Sequence, residues 1–234
     1  IEPPTEAATL GVGTGSGLTG TYYAKYTYCR KVSGTVVSES NPSPISSSQA
    51  MSNQALRVTW TASSDAQVTH VRVYRTLADD LNFYHDQDIA IGTVTVDTTT
   101  ADASLGLLAP SNHNRPPFGA DLCIGPLFGG YVFVAKDNLL YFSSAKQPEY
   151  FPATNFLELS EPQDPITAMT VHEGQLYVAT TRKLFIIQGT VSASFAAIPI
   201  ESKTGTPNSL CLVGVVGTGL FHLGPDGIYL LSGG

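Results

Sequence analysis

An all-β fold is the expectation from this sequence, on three observations. Short runs rich in Val, Ile, Thr, Tyr and Phe alternate with clusters of Gly, Pro, Asn, Asp and Ser, the pattern of many short strands joined by turns. No long segment carries a convincing 3.6-residue apolar period. The second half repeats itself at a fixed spacing of 44 residues. Together these predict a small β-sandwich followed by part of a β-propeller built from that repeat. The chain has 234 residues, 42% of them apolar and 13% charged, enough to bury a core and too apolar to stay disordered.

Residues 1–19 read as a lead-in or linker. Gly11, Gly13, Gly15 and Gly17 sit in this stretch, but no lysine and no helix follow, so it is not a phosphate-binding loop. The chain begins at Ile1 rather than Met, which suggests a processed or partial piece.

Residues 20–109 are expected to form the sandwich. Thr21 to Tyr28 alternates, turns near Ser33-Gly34, resumes over Thr35 to Ser38 and stops at SESNPSP. Leu56 to Ser63, Thr69 to Thr76 and Ile91 to Thr99 add strands, and Trp60 is placed in the core. Five or more short strands at such spacing point to a sandwich.

Residues 110–234 hold three repeat units starting near residues 122, 166 and 210. Phe133, Tyr177 and Phe221 stand 44 residues apart, and Leu140, Leu184 and Ile228 keep the same period. So do Tyr141, Phe185 and Tyr229. Each unit offers an apolar strand, a glycine turn and a hairpin such as GYVFVAKDNLLYFSS (130–144). A fourth strand is expected near Phe156 to Leu159 and Phe195 to Ile200. Units of about 40 to 50 residues fit propeller blades, which must stack because one sheet cannot cover both its faces. Three blades fall short of the usual 4 to 8 or so, so the propeller is expected to be incomplete here. The alternative is chance resemblance among the hairpins of one large sandwich.

The sequence excludes some classes of function and leaves others open. A net charge of −7 without a basic run argues against a surface that grips nucleic acid by neutralising phosphates, though not against one past which DNA slides. No apolar run approaches a membrane helix of roughly 20 residues. Cys29, Cys123 and Cys211 are too few and scattered for a disulfide framework or zinc site and read as small buried hydrophobes. His172-Glu173 lacks the second histidine of a zinc-protease motif and falls in a turn of the repeat. His222 stands where the other units have Val134 and Val178, so it reads as a core or interface histidine. Asp79, Asp80, Asp86 and Asp88 offer oxygens for calcium but lack the spacing and glycine of a calcium loop, and read as a solvated acidic loop. No cofactor is expected.

Two stretches resemble a known domain family. VTWTASSDAQVTHVRVYRT (58–76) resembles the early strands of a fibronectin type III domain, and TYYAKYTYCRKVSGTVVSESNPSP (21–44) its last hairpin. Here the last hairpin comes first, so the resemblance implies a permuted domain or two partial ones. Taken in order, Gly20 to Pro44, His70 to Thr76, Val96 to Leu108, Pro116-Pro117 and Leu140 to Pro152 are similar to virion proteins of tailed bacteriophages, most of all the tail nozzle (tail tubular) proteins of short-tailed phages. That resemblance implies a homo-oligomeric ring, commonly a hexamer, contacting adaptor, portal and fibre proteins. DNA leaves through its lumen, and the ring, assembled in the host cytoplasm, belongs to the virion.

Three functions are therefore weighed. The first is a structural conduit without enzymatic activity. The second is a glycan- or receptor-binding module, with Tyr22, Tyr26 and Tyr28 for stacking and Asp79 and Asp80 as further interface candidates. By strand alternation the same tyrosines also suit a core ladder. The third is a glycan-cleaving propeller enzyme using two of Glu149, Glu158, Glu161 and Asp164.

Overall fold

The computed structural model describes residues 1–202 and 204–231. The chain is all-β, and it divides into two compact units, residues 1–113 and 114–234.

The first unit contains β1 (Thr9–Tyr22), β2 (Ala24–Val32), β3 (Thr35–Glu39), β4 (Gln49–Thr59), β5 (His70–Arg75), β6 (Tyr84–Ala90) and β7 (Thr95–Thr98). They form two antiparallel sheets, ordered β1-β4-β7 and β3-β2-β5-β6. Inward residues of both sheets meet in one core: Leu18, Tyr22, Leu56 and Val58 from the first, Tyr26, Tyr28, Val71 and Val73 from the second. That is a β-sandwich, because each sheet is apolar on one face only.

The expected lead-in is corrected. From Thr9 onward it is β1, paired with β4 over Thr9 to Gly13 and again over Leu18 to Tyr22. The glycines that suggested flexibility serve a bulge: the register breaks between Gly13 and Leu18. There Thr14 donates its N–H to Asp97 at 2.7 Å, and a Cβ at Gly13 would meet that carboxylate at 2.5 Å. The close approach requires glycine.

The Ser/Pro run after β3 is also ordered. Ser40, Ser43 and Ser46 donate their N–H groups to the carbonyls of Tyr28, Tyr26 and Ala24. Their hydroxyls accept from the N–H of those same three residues, at 3.0, 3.1 and 2.9 Å. Three residues of the run thus cover two of β2, one extra per step as in a repeated bulge. Pro42 and Pro44 fall where no N–H is needed, which an edge tolerates. Ser43 is 2% exposed, so Ser43→Ala strands the Tyr26 N–H and should cost about 1–3 kcal/mol in urea unfolding. Ser47→Ala, at an exposed position, should stay within about 0.5 kcal/mol. Equal effects would refute the serine ladder.

The second unit contains β8 (Leu122–Leu127), β9 (Tyr131–Lys136), β10 (Leu139–Phe142), β11 (Phe156–Glu158), β12 (Ile166–His172), β13 (Gln175–Thr180), β14 (Leu184–Gln188), β15 (Ala196–Ile200), β16 (Leu212–Val215), β17 (Gly219–Gly224) and β18 (Gly227–Leu231). Consecutive strands pair antiparallel into three meanders, β8 to β11, β12 to β15 and β16 to β18. β12 lies against both β8 and β16, so the first strands of the three sheets are neighbours. Apolar side chains fill the layer between sheets one and two, and a second layer lies between two and three. This is a propeller-like stack; among the described residues no sheet closes into a barrel.

The central hairpins repeat in register: Val134 opposes Tyr141, Val178 opposes Phe185, and His222 opposes Tyr229. The outer pairing does not. Glu173-Gly174 makes a two-residue turn where the other units use three residues, Phe128 to Gly130 and Val216 to Thr218, and the first strand of unit two shifts accordingly.

Candidate functional site

The strongest convergence of titratable groups lies on the outer face of the sheet β3-β2-β5-β6. Strand alternation places Thr27 of β2 and Arg72 and Tyr74 of β5 on that face, with Val71 and Val73 turned to the core. In β6 the register slips between Val73/Gln87 and Tyr74/His85, so Asp86 is an extra residue with no cross-strand partner. This bulge brings His85 and Asp88 to the same face: His85 Nε2 lies 2.7 Å from Asp88 Oδ1.

Two carboxylates organise the face. Glu39, 6% exposed, accepts from Thr27 Oγ1 at 2.7 Å, Tyr74 OH at 2.6 Å and Arg72 at 2.8 Å. Asp88 accepts from Lys31 Nζ at 2.7 Å and Arg72 Nε at 2.9 Å, besides its contact with His85. Arg72 therefore bridges the two acids. Residues 105–113 strap this face. The strap pairs with the edge of β6 through His85 N–H to Leu107 O (2.8 Å) and Gly106 N–H to His85 O (2.7 Å). At the opposite edge of the sheet His113 is fastened to the Asn41 side chain and the Glu39 carbonyl, at 2.9 and 3.0 Å. Between strap and sheet is a cavity of 510 Å³, lined by Arg72, Tyr74 and His85 below and Leu107, Leu108 and Pro110 above.

The electrostatics pull these groups away from proton transfer near neutrality. Burial, then the Glu39 charge, pushes the Tyr74 hydroxyl well above its ordinary value, so it stays protonated and donates. Burial alone would raise Asp88, but the hydrogen bonds from Lys31, His85 and Arg72 outweigh it and hold the carboxyl well below its usual range. Cys29, buried beneath the cluster, is pushed up to about 12 by burial and by Asp88 and Glu39, so it remains a thiol. General acid–base work needs a pKa near the working pH, and these three groups are moved the other way.

The sign for Asp88 follows. Its folded pKa is depressed, so its stabilisation is present above the unfolded value of about 3.9 and is lost as pH falls through the folded one. Asp88→Asn should cost about 2 kcal/mol at pH 7, and the gap to the parent should narrow in acid. Urea midpoints at pH 7 and pH 3 check this; a constant gap would overturn it.

The residues singled out in sequence lie elsewhere. Tyr22, Tyr26 and Tyr28 are 2%, 0% and 7% exposed, so they form no stacking platform. Tyr22 belongs to β1 and the other two to β2, and they reach the core from opposite sheets. Tyr26 packs edge-on to Tyr28 and close to Trp60. Asp79 and Asp80 order a turn: Asp79 accepts from Thr21 N–H at 2.9 Å, and Asp80 accepts from Leu81 N–H at 2.6 Å. The solvated acidic loop is corrected, since Asp88 is in the network and the Asp86 side chain is wholly buried, 3.7 Å from Arg75 Nε. Cys123 is exposed and Cys211 half-buried, so only Cys29 is a buried thiol. His222 is 1% exposed and stacked on Tyr229 at 5.0 Å. Asp164 is buried and accepts from Thr180 Oγ1 at 2.7 Å, whereas Glu158 and Glu161 are exposed.

Sequence reasoning missed Glu39, Arg72, Tyr74, His85 and His113. The alternation of HVRVYR already put Arg72 and Tyr74 opposite the valines, but nothing in the chain announced the strap. Among the described residues no cluster of three or more His, Cys, Asp or Glu side chains could hold a metal ion, and no helix is long and apolar enough to cross a membrane. The fold and this site together define a two-unit all-β protein, a sandwich carrying a strapped ionic cluster and a stack of antiparallel meanders. No protein-family profile and no curated protein matches the chain.

Proposed function

We propose that the chain is a structural subunit of a bacteriophage tail, part of a nozzle-like ring through which DNA leaves. The reading rests on the ordered pieces Gly20 to Pro44, His70 to Thr76 and Leu140 to Pro152, which are similar to short-tailed phage nozzle proteins. One structural observation carries it furthest. The three meanders stack on apolar layers at a fixed repeat, which makes a stiff wall. The polar cluster under the strap supports the same reading, because its charges satisfy one another instead of a substrate. A net charge of −7 suits a channel past which phosphates slide without sticking. In this reading the chain performs no reaction and its partners are further copies and neighbouring tail proteins.

Electron microscopy of the full-length protein in its particle is the test. A ring of this protein on the tail axis, with a lumen of DNA width, is the expected result. Tight DNA binding by the assembled ring at physiological salt, or a location off the tail axis, would overturn the proposal.

A further inference from the structure

The strapped cavity of the first unit is lined unevenly, and its lining decides what fits. The ceiling is Leu107, Leu108 and Pro110. Leu107 and Leu108 are 86% and 60% exposed, apolar surface left without cover. The accessible part of the floor is Arg72 and His85, whose side chains are 20% and 22% exposed. Tyr74, itself buried, supports both: its ring meets the His85 ring edge-on at 5.6 Å, and the Arg72 guanidinium lies over it at 5.7 Å. The volume of 510 Å³ falls in the range of about 300–1,000 Å³ that takes small molecules. Water against an apolar ceiling is poorly held, and a ring that displaces it gains affinity.

The charges beneath are balanced. Glu39 and Asp88 face Arg72 and Lys31, two carboxylates against two cations, and each of the four is already in an ion pair. An ion entering the cavity meets no unpaired opposite charge to offset its lost hydration. Two hydrogen-bonding atoms are still uncommitted. Arg72 gives Nε to Asp88 and Nη1 to Glu39, and its Nη2 has no partner among the described residues. Asp88, held ionised, can only accept, so His85 donates from Nε2 and its Nδ1 keeps a lone pair in the neutral ring. Gly106 leaves that nitrogen uncovered, since a Cβ there would stand 3.3 Å from it.

We propose that this cavity is a binding site for a small, uncharged, planar molecule of the aromatic amide or amide-like heterocycle class. Its ring lies under Leu107, Leu108 and Pro110. Its carbonyl accepts from Arg72 Nη2, and its N–H donates to His85 Nδ1. The strap is fastened at both edges of the sheet and crosses the cavity, so what enters is small rather than a segment of a folded partner. The site goes beyond the phage reading and does not rest on it, because every lining residue lies between positions 39 and 113, within the first unit.

Three probes of one shape and different charge test the proposal on the purified chain, with no particle present: benzamide, benzoate and benzamidine. The readout is the His85 ring resonances in NMR titrations. Benzamide should shift them with a dissociation constant of roughly 1 mM, reasonable for a ligand of its size. Benzoate and benzamidine should bind about tenfold more weakly or worse, because each brings an unpaired charge. Gly106→Ala, which covers Nδ1, should weaken benzamide by about fivefold or more. Leu108→Ser, at an exposed position where folding is safe, should weaken it similarly by removing part of the ceiling. Leu210→Ser, an equally exposed leucine of the second unit, should leave binding unchanged. No shift at His85 with about 10 mM benzamide would overturn the site. Either ion binding more tightly than benzamide would overturn the uncharged class, and equal losses for Leu108→Ser and Leu210→Ser would reduce the binding to non-specific contact.

Discussion

Replacing Glu39 by alanine is expected to destabilise the first unit by about 3–5 kcal/mol, the usual cost of removing one partner from a buried ion pair. Its carboxylate takes hydrogen bonds from Thr27, Tyr74 and Arg72, and its side chain is 7% exposed. Without it the buried Tyr74 hydroxyl loses its acceptor, and Arg72 keeps only Asp88. Glu39→Gln keeps an acceptor oxygen and should cost less, about 1–3 kcal/mol. Trp60, the sole tryptophan, sits in the core of this unit, so its fluorescence in urea follows the right transition. With a slope of about 1–3 kcal/mol per molar urea, Glu39→Ala should lower the midpoint by about 1 M or more. A shift under about 0.3 M would mean that the network contributes little and that the strap does not rest on it.

Leu184→Ala is expected to cost about 2–5 kcal/mol in the second unit, because it opens a cavity in the layer between sheets two and three. Leu140→Ala should behave alike, since it fills the equivalent place in the layer between sheets one and two. Ile228→Ala, at the third copy of the position and 76% exposed, should change stability by no more than about 0.5 kcal/mol. The three substitutions delete nearly the same atoms from one repeat position, so burial alone separates them. Far-UV circular dichroism in urea, with Trp60 fluorescence to set aside the first unit, provides the comparison. Equal losses at all three positions would refute the stacking order.

The repeat was legible because it is a matter of spacing. Equal offsets between Phe133, Tyr177 and Phe221 show themselves in a single chain, and a short turn then fixes the hairpin register. The fourth strands, expected near Phe156 and Phe195, are present as β11 and β15. The tyrosines of the first unit illustrate the opposite case. Alternation says that Tyr26 and Tyr28 share a face, but a period of two cannot say which face meets the other sheet. Packing against Trp60 and Val73 made it the inner one. The glycine-rich start misled for a related reason. Glycine signals freedom in an isolated segment, yet Gly13 is there because Asp97, 84 residues further on, comes too close for a side chain.

Local pattern therefore settled the all-β class, the strand-rich first half and the three-fold hairpin, because each depends on residues within a few positions of one another. The strapped cavity and the bridging of Glu39 and Asp88 by Arg72 were decided in three dimensions. Arg72 meets Glu39 from 33 residues away, and His113 closes the strap onto Glu39 from 74. Such contacts form only after β2, β3, β5 and β6 have paired, and no periodicity along the chain encodes which distant side chains a sheet will bring together.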